Sequence, residues 1–261
     1  MKTALFYYSV TGNTELVCKY MLSKMPQLEL VDIAKSKPSQ TGYFDVIGIA
    51  APVFYLNTPP IVSSFLNNFE STEGKPVFLL STYGMMPGKV MRVFEKELNK
   101  KGCVIFNYLL LQMPESFPPF IAKGWTAKNS PSQNEIALLI SYIESVKYSV
   151  KQMELGIKPN KKQIKTGFLN SLIPTPSAKK NLMKFGDLVL NDQLCNSCGI
   201  CKESCVYQAV LFDEKPSFNM QKCAACFACY NKCPQKALST TKISASFQYH
   251  RPANNLVEKF I

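Results

Sequence analysis

The chain reads as a two-part α/β protein: a parallel sheet covered by helices, then a small cysteine-rich α+β module. Three observations predict this. Strand-like and helix-like patterns alternate through residues 1–155, which is the order of a parallel sheet with right-handed crossovers. A hydroxyl-rich turn, Ser9-Val10-Thr11-Gly12-Asn13-Thr14, directly follows the first strand pattern. Eight of the ten cysteines then fall in two runs of one spacing, Cys195-x2-Cys198-x2-Cys201-x3-Cys205 and Cys223-x2-Cys226-x2-Cys229-x3-Cys233-Pro234.

The elements follow in order. Residues 2–8 (KTALFYY) suit a buried first strand, since they are apolar and aromatic and end in a polar turn. The helix after the turn carries Leu16, Val17, Tyr20, Met21 and Leu22 at helical spacing. Further strands are expected at 28–33, 45–51, 76–81 and 103–111, with helices at 61–69, 90–101 and from Asn134 to about Leu155. Ligands of such sheets bind beyond the carboxyl ends of the strands. The loops expected there are residues 9–14, 51–58, 82–88 and 113–119. The stretch from Gln112 to Ser130 carries Phe117, Phe120 and Trp125, too apolar for a solvated loop, and is expected to cover a bound ring or to dock on the cysteine module.

The first loop is an anion site by its chemistry. A strand, a hydroxyl-rich turn and a helix N-terminus bring backbone N–H groups, hydroxyls and the positive end of the helix dipole together. It is neither a Walker loop nor a GxGxxG turn. The same residues also permit plain helix capping by Thr11 or Asn13.

The cysteine runs have the ligand pattern of a protein with two 4Fe-4S clusters. Three cysteines at two-residue gaps wrap three corners of a cubane, and the fourth ligates the other cluster. The spacing therefore assigns Cys195, Cys198, Cys201 and Cys233 to one cluster and Cys223, Cys226, Cys229 and Cys205 to the other. A zinc ribbon needs only two Cys-x2-Cys knuckles and leaves the remaining thiols unexplained. A disulfide framework would need an oxidising compartment, whereas the opening MKTALFYYSV has no secretory pattern. A soluble protein of the cytoplasm, in an anaerobic setting, is expected. The runs repeat at an offset of 28, with Ala209 aligned to Ala237 and Val210 to Leu238. The other two cysteines, Cys18 and Cys103, lie in helix and strand patterns and read as apolar core residues.

The formal charge of +12 divides unevenly. Residues 1–155 carry 15 basic and 12 acidic groups, residues 156–186 carry 7 and none, and residues 187–261 carry 8 and 6. Two clusters, each a dianion with its thiolates, would remove about four charges. No nucleic-acid partner is therefore expected, and no apolar run is long enough to span a bilayer. The basic stretch reads as a solvated linker or as a docking strip for an acidic redox partner.

Residues 1 to about 153 resemble flavodoxins, whose phosphate loop Ser/Thr-x-Thr-Gly-x-Thr is matched by Ser9, Thr11, Gly12 and Thr14. The resemblance implies a doubly wound parallel five-stranded sheet in the order 2-1-3-4-5. It also implies FMN, with its phosphate on Ser9, Val10, Thr11, Gly12, Asn13 and Thr14. The flavin ring would lie between Pro52, Val53, Phe54, Tyr55, Asn57 and Thr58 on one side and Thr82, Tyr83 and Gly84 on the other, with Phe54, Tyr55 or Tyr83 stacking on it. Residues 187 to about 242 resemble bacterial two-cluster ferredoxins. One departure stands out: the proline that follows the last cysteine of each run is present as Pro234 but replaced by Val206 in the first.

The whole resembles flavodoxin–ferredoxin fusion proteins, with a flavin domain at 1–155, a basic linker at 156–186 and a ferredoxin-like domain with its tail at 187–261. That implies electron transfer between two 4Fe-4S clusters and FMN and on to ferredoxin-type or flavin-type partners. The alternatives are an oxidoreductase that reduces a small molecule at FMN, with Glu115 or Tyr83 as the titratable group, and a redox or iron sensor. His250, the only histidine, reads as structural or partner-facing.

Overall fold

The computed structural model describes residues 1–165 and 178–261. Five strands form one parallel sheet: β1 (Thr3–Tyr7), β2 (Leu28–Asp32), β3 (Val46–Pro52), β4 (Pro76–Tyr83) and β5 (Val104–Gln112). Their order is β2-β1-β3-β4-β5. Four helices cover it: α1 (Asn13–Lys24), α2 (Pro60–Asn67), α3 (Val90–Lys100) and α5 (Gln133–Glu154), while a short α4 (Pro118–Ile121) lies in the loop after β5. The expected alternation is present, with most ends displaced by one or two residues.

Alternation of side chains along each strand divides the core in two. Leu5, Phe78 and Leu80 face one side with α1 and α5, through Val17, Met21, Leu139 and Ile143. Phe6, Ile47, Ile49, Val77 and Leu79 face the other with α2 and α3, through Val62, Phe65, Phe94 and Leu98. Both faces are buried, which explains why these strands read as continuous apolar runs. Cys18 and Cys103 each sit in one of these cores. Helix α5 starts on a capping box: the Ser132 hydroxyl accepts from Glu135 N–H at 3.3 Å, and Ser132 N–H donates to the Glu135 carboxylate at 2.6 Å. Among the described residues no helix is long and apolar enough to cross a membrane.

The described part of the basic stretch is not simply solvated. Lys162 N–H donates to Ile105 O at 2.7 Å, Lys162 Nζ to Asn107 Oδ1 at 2.9 Å and Lys165 N–H to the Tyr108 hydroxyl at 3.0 Å. The segment thereby runs along β5, the edge strand, and supplies partners to backbone that an edge leaves open. Gly167, Pro174 and Pro176 lie outside the described residues.

The cysteine module is built from two antiparallel strand pairs, β6 (Leu188–Leu190) with β9 (Leu238–Thr240) and β7 (Val210–Phe212) with β8 (Pro216–Phe218). The repeat is visible in the backbone. Ser197 and Ala225 both have φ 56°, Gln208 and Lys236 have 52° and 51°, and Gly199 and Phe227 have 77° and 57°. Asn191 and Asn219, also 28 apart, accept the N–H groups two and three residues on at matched distances of 3.1 and 3.3 Å.

The two halves pack against each other. Val206 adds to the core under α2 and α3. After the module the chain returns to the sheet: Leu256 and Phe260 bury in the core under α1 and α5, Phe260 edge-on to Tyr20 at 5.5 Å. Lys259 Nζ donates to Asn129 O and Pro131 O at 3.1 and 2.9 Å. Phe260→Ala is expected to cost the flavodoxin-like half about 3 kcal/mol, the low end for a buried phenylalanine at an edge of the core. Denaturant titration followed by α1 hydrogen exchange checks this, and a change under 1 kcal/mol would mean the segment rests on the surface without bracing it.

Candidate functional site

The strand order reverses between β1 and β3, so the loops after these strands part and leave a crevice. A cavity of about 260 Å³ lies there. Its walls are Ser9, Val10, Thr11, Asn13 and Thr14 after β1, Pro52 to Leu56 after β3, Thr82 to Met86 after β4, and Met113 to Phe117 with Phe120 after β5. Lys184, Phe185, Ala225, Cys226 and Asn231 complete it from beyond the sheet.

The turn after β1 fits a phosphate. Gly12 stands at φ 97°, a conformation that favours glycine, and its N–H donates to Ser9 Oγ at 3.1 Å. No side chain caps α1. Asn13 is committed elsewhere, its Nδ2 donating to Pro114 O at 3.0 Å and its Oδ1 accepting from the Tyr249 hydroxyl at 2.7 Å. The first turn of α1 therefore keeps N–H groups for an anion, beside the hydroxyls of Ser9 and Thr11. Thr14 and Thr82 share a hydrogen bond of 2.8 Å that ties two of the loops together.

The loop after β3 is a two-residue turn. Phe54 and Asn57 exchange backbone hydrogen bonds of 2.8 and 2.9 Å, and Tyr55 and Leu56 between them have φ 48° and 62°. The turn pushes Tyr55 and Leu56 into the crevice. Of the residues expected at a flavin, Gly12, Asn57 and Thr58 do not line the cavity, while the others do. Gly12 faces Pro252 instead, Asn57 closes the turn, and Thr58 N–H donates to the Asn57 side chain at 2.9 Å.

Tyr55 is held by neighbours of its own. Its ring lies edge-on to Phe54 at 4.6 Å and to Phe117 at 5.2 Å and parallel to Phe185 at 6.4 Å, and its hydroxyl donates to Ala225 O at 2.7 Å. The long loop after β5 both lines the crevice and meets the cysteine module. Phe117 packs on Phe185 and Phe227 at 5.2 and 5.6 Å, and Ser116 O accepts from Asn231 Nδ2 at 3.0 Å.

Glu115 is the carboxylate of the crevice. It accepts N–H groups of Ser116 at 2.9 Å, Phe117 at 3.0 Å and Met85 at 3.2 Å, clipping the loops after β4 and β5 together. Burial pushes its carboxyl above the ordinary range, and the three donors pull it back in part. A Cβ at Gly84 would lie 2.4 Å from this carboxylate and 2.9 Å from Glu115 Cα, so a larger residue there would force the Glu115 segment to move.

The cysteines gather into two sets. Cys195, Cys198, Cys201 and Cys233 line one cavity of about 20 Å³, and Cys205, Cys223, Cys226 and Cys229 line another of about 30 Å³. Each set rings a cavity. Among the described residues no three His, Cys, Asp or Glu side chains group as they would around a single metal ion. Backbone N–H groups donate to the sulfurs, Ala209 to Cys205 at 3.2 Å, Ala237 to Cys233 at 3.3 Å and Ala225 to Cys223 at 3.4 Å. Burial pushes the Cys226 thiol up to about 12 and that of Cys229 well above its ordinary value. Thiolates there need a compensating cation, as iron would supply. The donor set, its enclosure and its N–H···S bonds fit iron-sulfur clusters.

Sequence reasoning missed several of the crevice residues. Leu56 lies inside the expected loop 51–58 but not among the residues expected at the flavin ring. Lys184, Phe185, Ala225 and Asn231 carry no local signal, and the spacing that marks Cys226 as a ligand does not place it at the crevice, since only the docking of the module brings these residues there.

Comparison with known proteins agrees with both halves. The flavodoxin domain family matches residues 4–106, and the 4Fe-4S dicluster domain family matches residues 187–234. A ferredoxin of Pyrobaculum islandicum is 40% identical over 60 residues, which are 22% of this chain and 56% of that protein; the chain thus spans just over half the length of that relative. An uncharacterized protein of Methanocaldococcus jannaschii is 25% identical over 151 residues, 56% of this chain and 98% of that one. Among solved structures, oxidised flavodoxin 1 of Bacillus cereus is similar at a TM-score of 0.45 and 15% identity, over 57% of this chain and 99% of its own. The chain carries a flavodoxin-like domain followed by a 4Fe-4S dicluster domain, an arrangement consistent with a flavodoxin–ferredoxin fusion.

Proposed function

We propose that this is an electron-transfer flavo-iron-sulfur protein, holding two 4Fe-4S clusters on its two cysteine sets and FMN in its crevice. It exchanges single electrons with external redox proteins of the ferredoxin or flavin type. The observation that carries this reading is the shared wall: residues of both halves, a cysteine among them, line one crevice. Bound cubanes would supply one-electron chemistry, and bound FMN one- or two-electron chemistry.

The chain supplies the rest. The Ser9–Thr14 turn and the start of α1 receive the phosphate, and the loops after β3 and β4 flank the ring. Met113, Phe117 and Phe120 keep the crevice dry on its β5 side. Glu115 keeps two of the loops in register through its three hydrogen bonds. Joining donor and acceptor in one chain replaces a diffusional encounter with an internal one.

Anaerobic reconstitution followed by iron, sulfide and flavin analysis tests the reading. About eight iron and eight sulfide per FMN are expected from two cubanes. Zinc without flavin would end it.

Glu115 and Tyr83 in the crevice favour one second reading, reduction of a small molecule at FMN with the clusters as electron inlet. Reduced holoprotein that delivers electrons to redox proteins and to no small acceptor would exclude it.

A further inference from the structure

We propose that the second cysteine set is the crevice's redox neighbour, joined to it through Cys226 and positioned by Tyr55, and that the first set is the outward terminal, reached at Cys198. This rests on the electron-transfer reading above and adds a direction to it. Cys226 lines both the second cysteine cavity and the crevice, together with Phe185 and Ala225, so it stands in the wall they share. No cysteine of the first set lines the crevice. Cys198, 28 residues before Cys226, is exposed. The pseudo-symmetry of the module thus puts the same position of the same turn at two opposite tasks, one facing solvent and the other facing the flavin-like half.

The residues around these two positions differ in the way this division requires. Ser197 and Gly199 flank the exposed cysteine, and Ala225 and Phe227 flank the enclosed one, all four with positive φ. Phe227, at φ 57°, occupies a left-handed conformation that glycine takes more readily. In return its ring packs on Phe117 and Tyr230, both at 5.6 Å, and closes the junction against water. Ala225 offers its carbonyl to the Tyr55 hydroxyl at 2.7 Å, and its N–H donates to Cys223 Sγ at 3.4 Å. Tyr55 is therefore a positioning residue: it stands in the crevice wall and fixes the peptide beside Cys226.

The transfer involves no bond making or breaking. With clusters and FMN bound, the second set would hold a one-electron donor and the crevice a one-electron acceptor, and an external low-potential one-electron protein would restore that electron through the first set.

Proton NMR of the wild-type holoprotein decides the order without any substitution. Adding FMN to flavin-depleted, cluster-loaded protein is expected to shift the hyperfine-shifted cysteine β-proton signals of Cys226 and its set, and to leave those of Cys198 and its set in place. Shifts confined to the first set, or equal on both, would overturn the proposal. Failure to bind FMN or to assemble clusters would overturn the electron-transfer reading itself. As a second arm, Cys198→Ala protein that keeps the second cluster is expected to lose reduction of its flavin by a reduced ferredoxin-type donor. Donor-dependent reduction unchanged in that variant would refute the outward role of the first set.

Discussion

Chelating the iron is expected to unfold residues 187–242 while the five-stranded half stays folded. The module cannot hold itself together by burial. The apolar cluster between its strands has four buried members, Val210, Leu238, Cys201 and Cys229, and two of these are cysteines of the proposed ligand sets, while the large buried rings of Phe227 and Tyr230 lie outside that cluster. Its strands are three residues long. A unit of this size with so little apolar surface needs a staple, and metal binding then becomes its folding free energy. Hydrogen exchange after anaerobic chelation is expected to show protection lost across 187–242 and kept in β1, β3, β4 and α5. Retained protection in the module would show that its packing suffices without metal. Because Ala225, Cys226 and Asn231 form one wall of the crevice, FMN affinity is expected to fall in the same experiment.

Gly12→Val is expected to weaken FMN binding by about a hundredfold, roughly 3 kcal/mol, with iron retained. Two costs add. A β-branched residue at φ 97° is strained by about 1–2 kcal/mol. The new Cβ would also lie 2.9 Å from Pro252 Cδ, so the segment running from Tyr249 to Phe260 must shift, taking the Tyr249 hydrogen bond away from Asn13. Fluorescence titration with FMN and iron analysis on the same preparation check the outcome. Loss of iron in step with loss of flavin would mean that the two sites fold as one unit. Gly12 thus acts from outside the cavity, by letting the turn take its shape and by admitting the closing segment.

Much of this was legible in the residues because it is written in local periodicity. Alternating strand and helix patterns, the hydroxyl turn between β1 and α1, and the three-cysteine spacings are each properties of a dozen consecutive residues or fewer. The apolar loop after β5 was legible in outline, since Phe117 and Phe120 are too apolar to stand in solvent. The capping alternative for the Ser9–Thr14 turn was settled from a distance: Asn13 is drawn off by Pro114 and Tyr249, residues that no local pattern links to it.

Val206 shows the boundary most plainly. In the sequence it is a missing proline beside a cysteine; in the structure it is a half-buried side chain packed against the core under α2 and α3, an apolar contact between the halves that a local pattern does not reveal.

The eight-cysteine stretch likewise carried its ligand chemistry in its spacing, but only the tertiary structure decided which set meets the crevice. By itself the sequence determined the sheet, the hydroxyl-rich turn before α1 and the two cysteine runs of the dicluster domain, because backbone periodicity and residue spacing are short-range properties. The tertiary structure decided that Cys226, Tyr55 and Val206 form a junction and that Phe260 returns to brace the sheet. Contacts between residues 50 to 240 positions apart depend on the packing of whole faces, and no window of sequence contains a face.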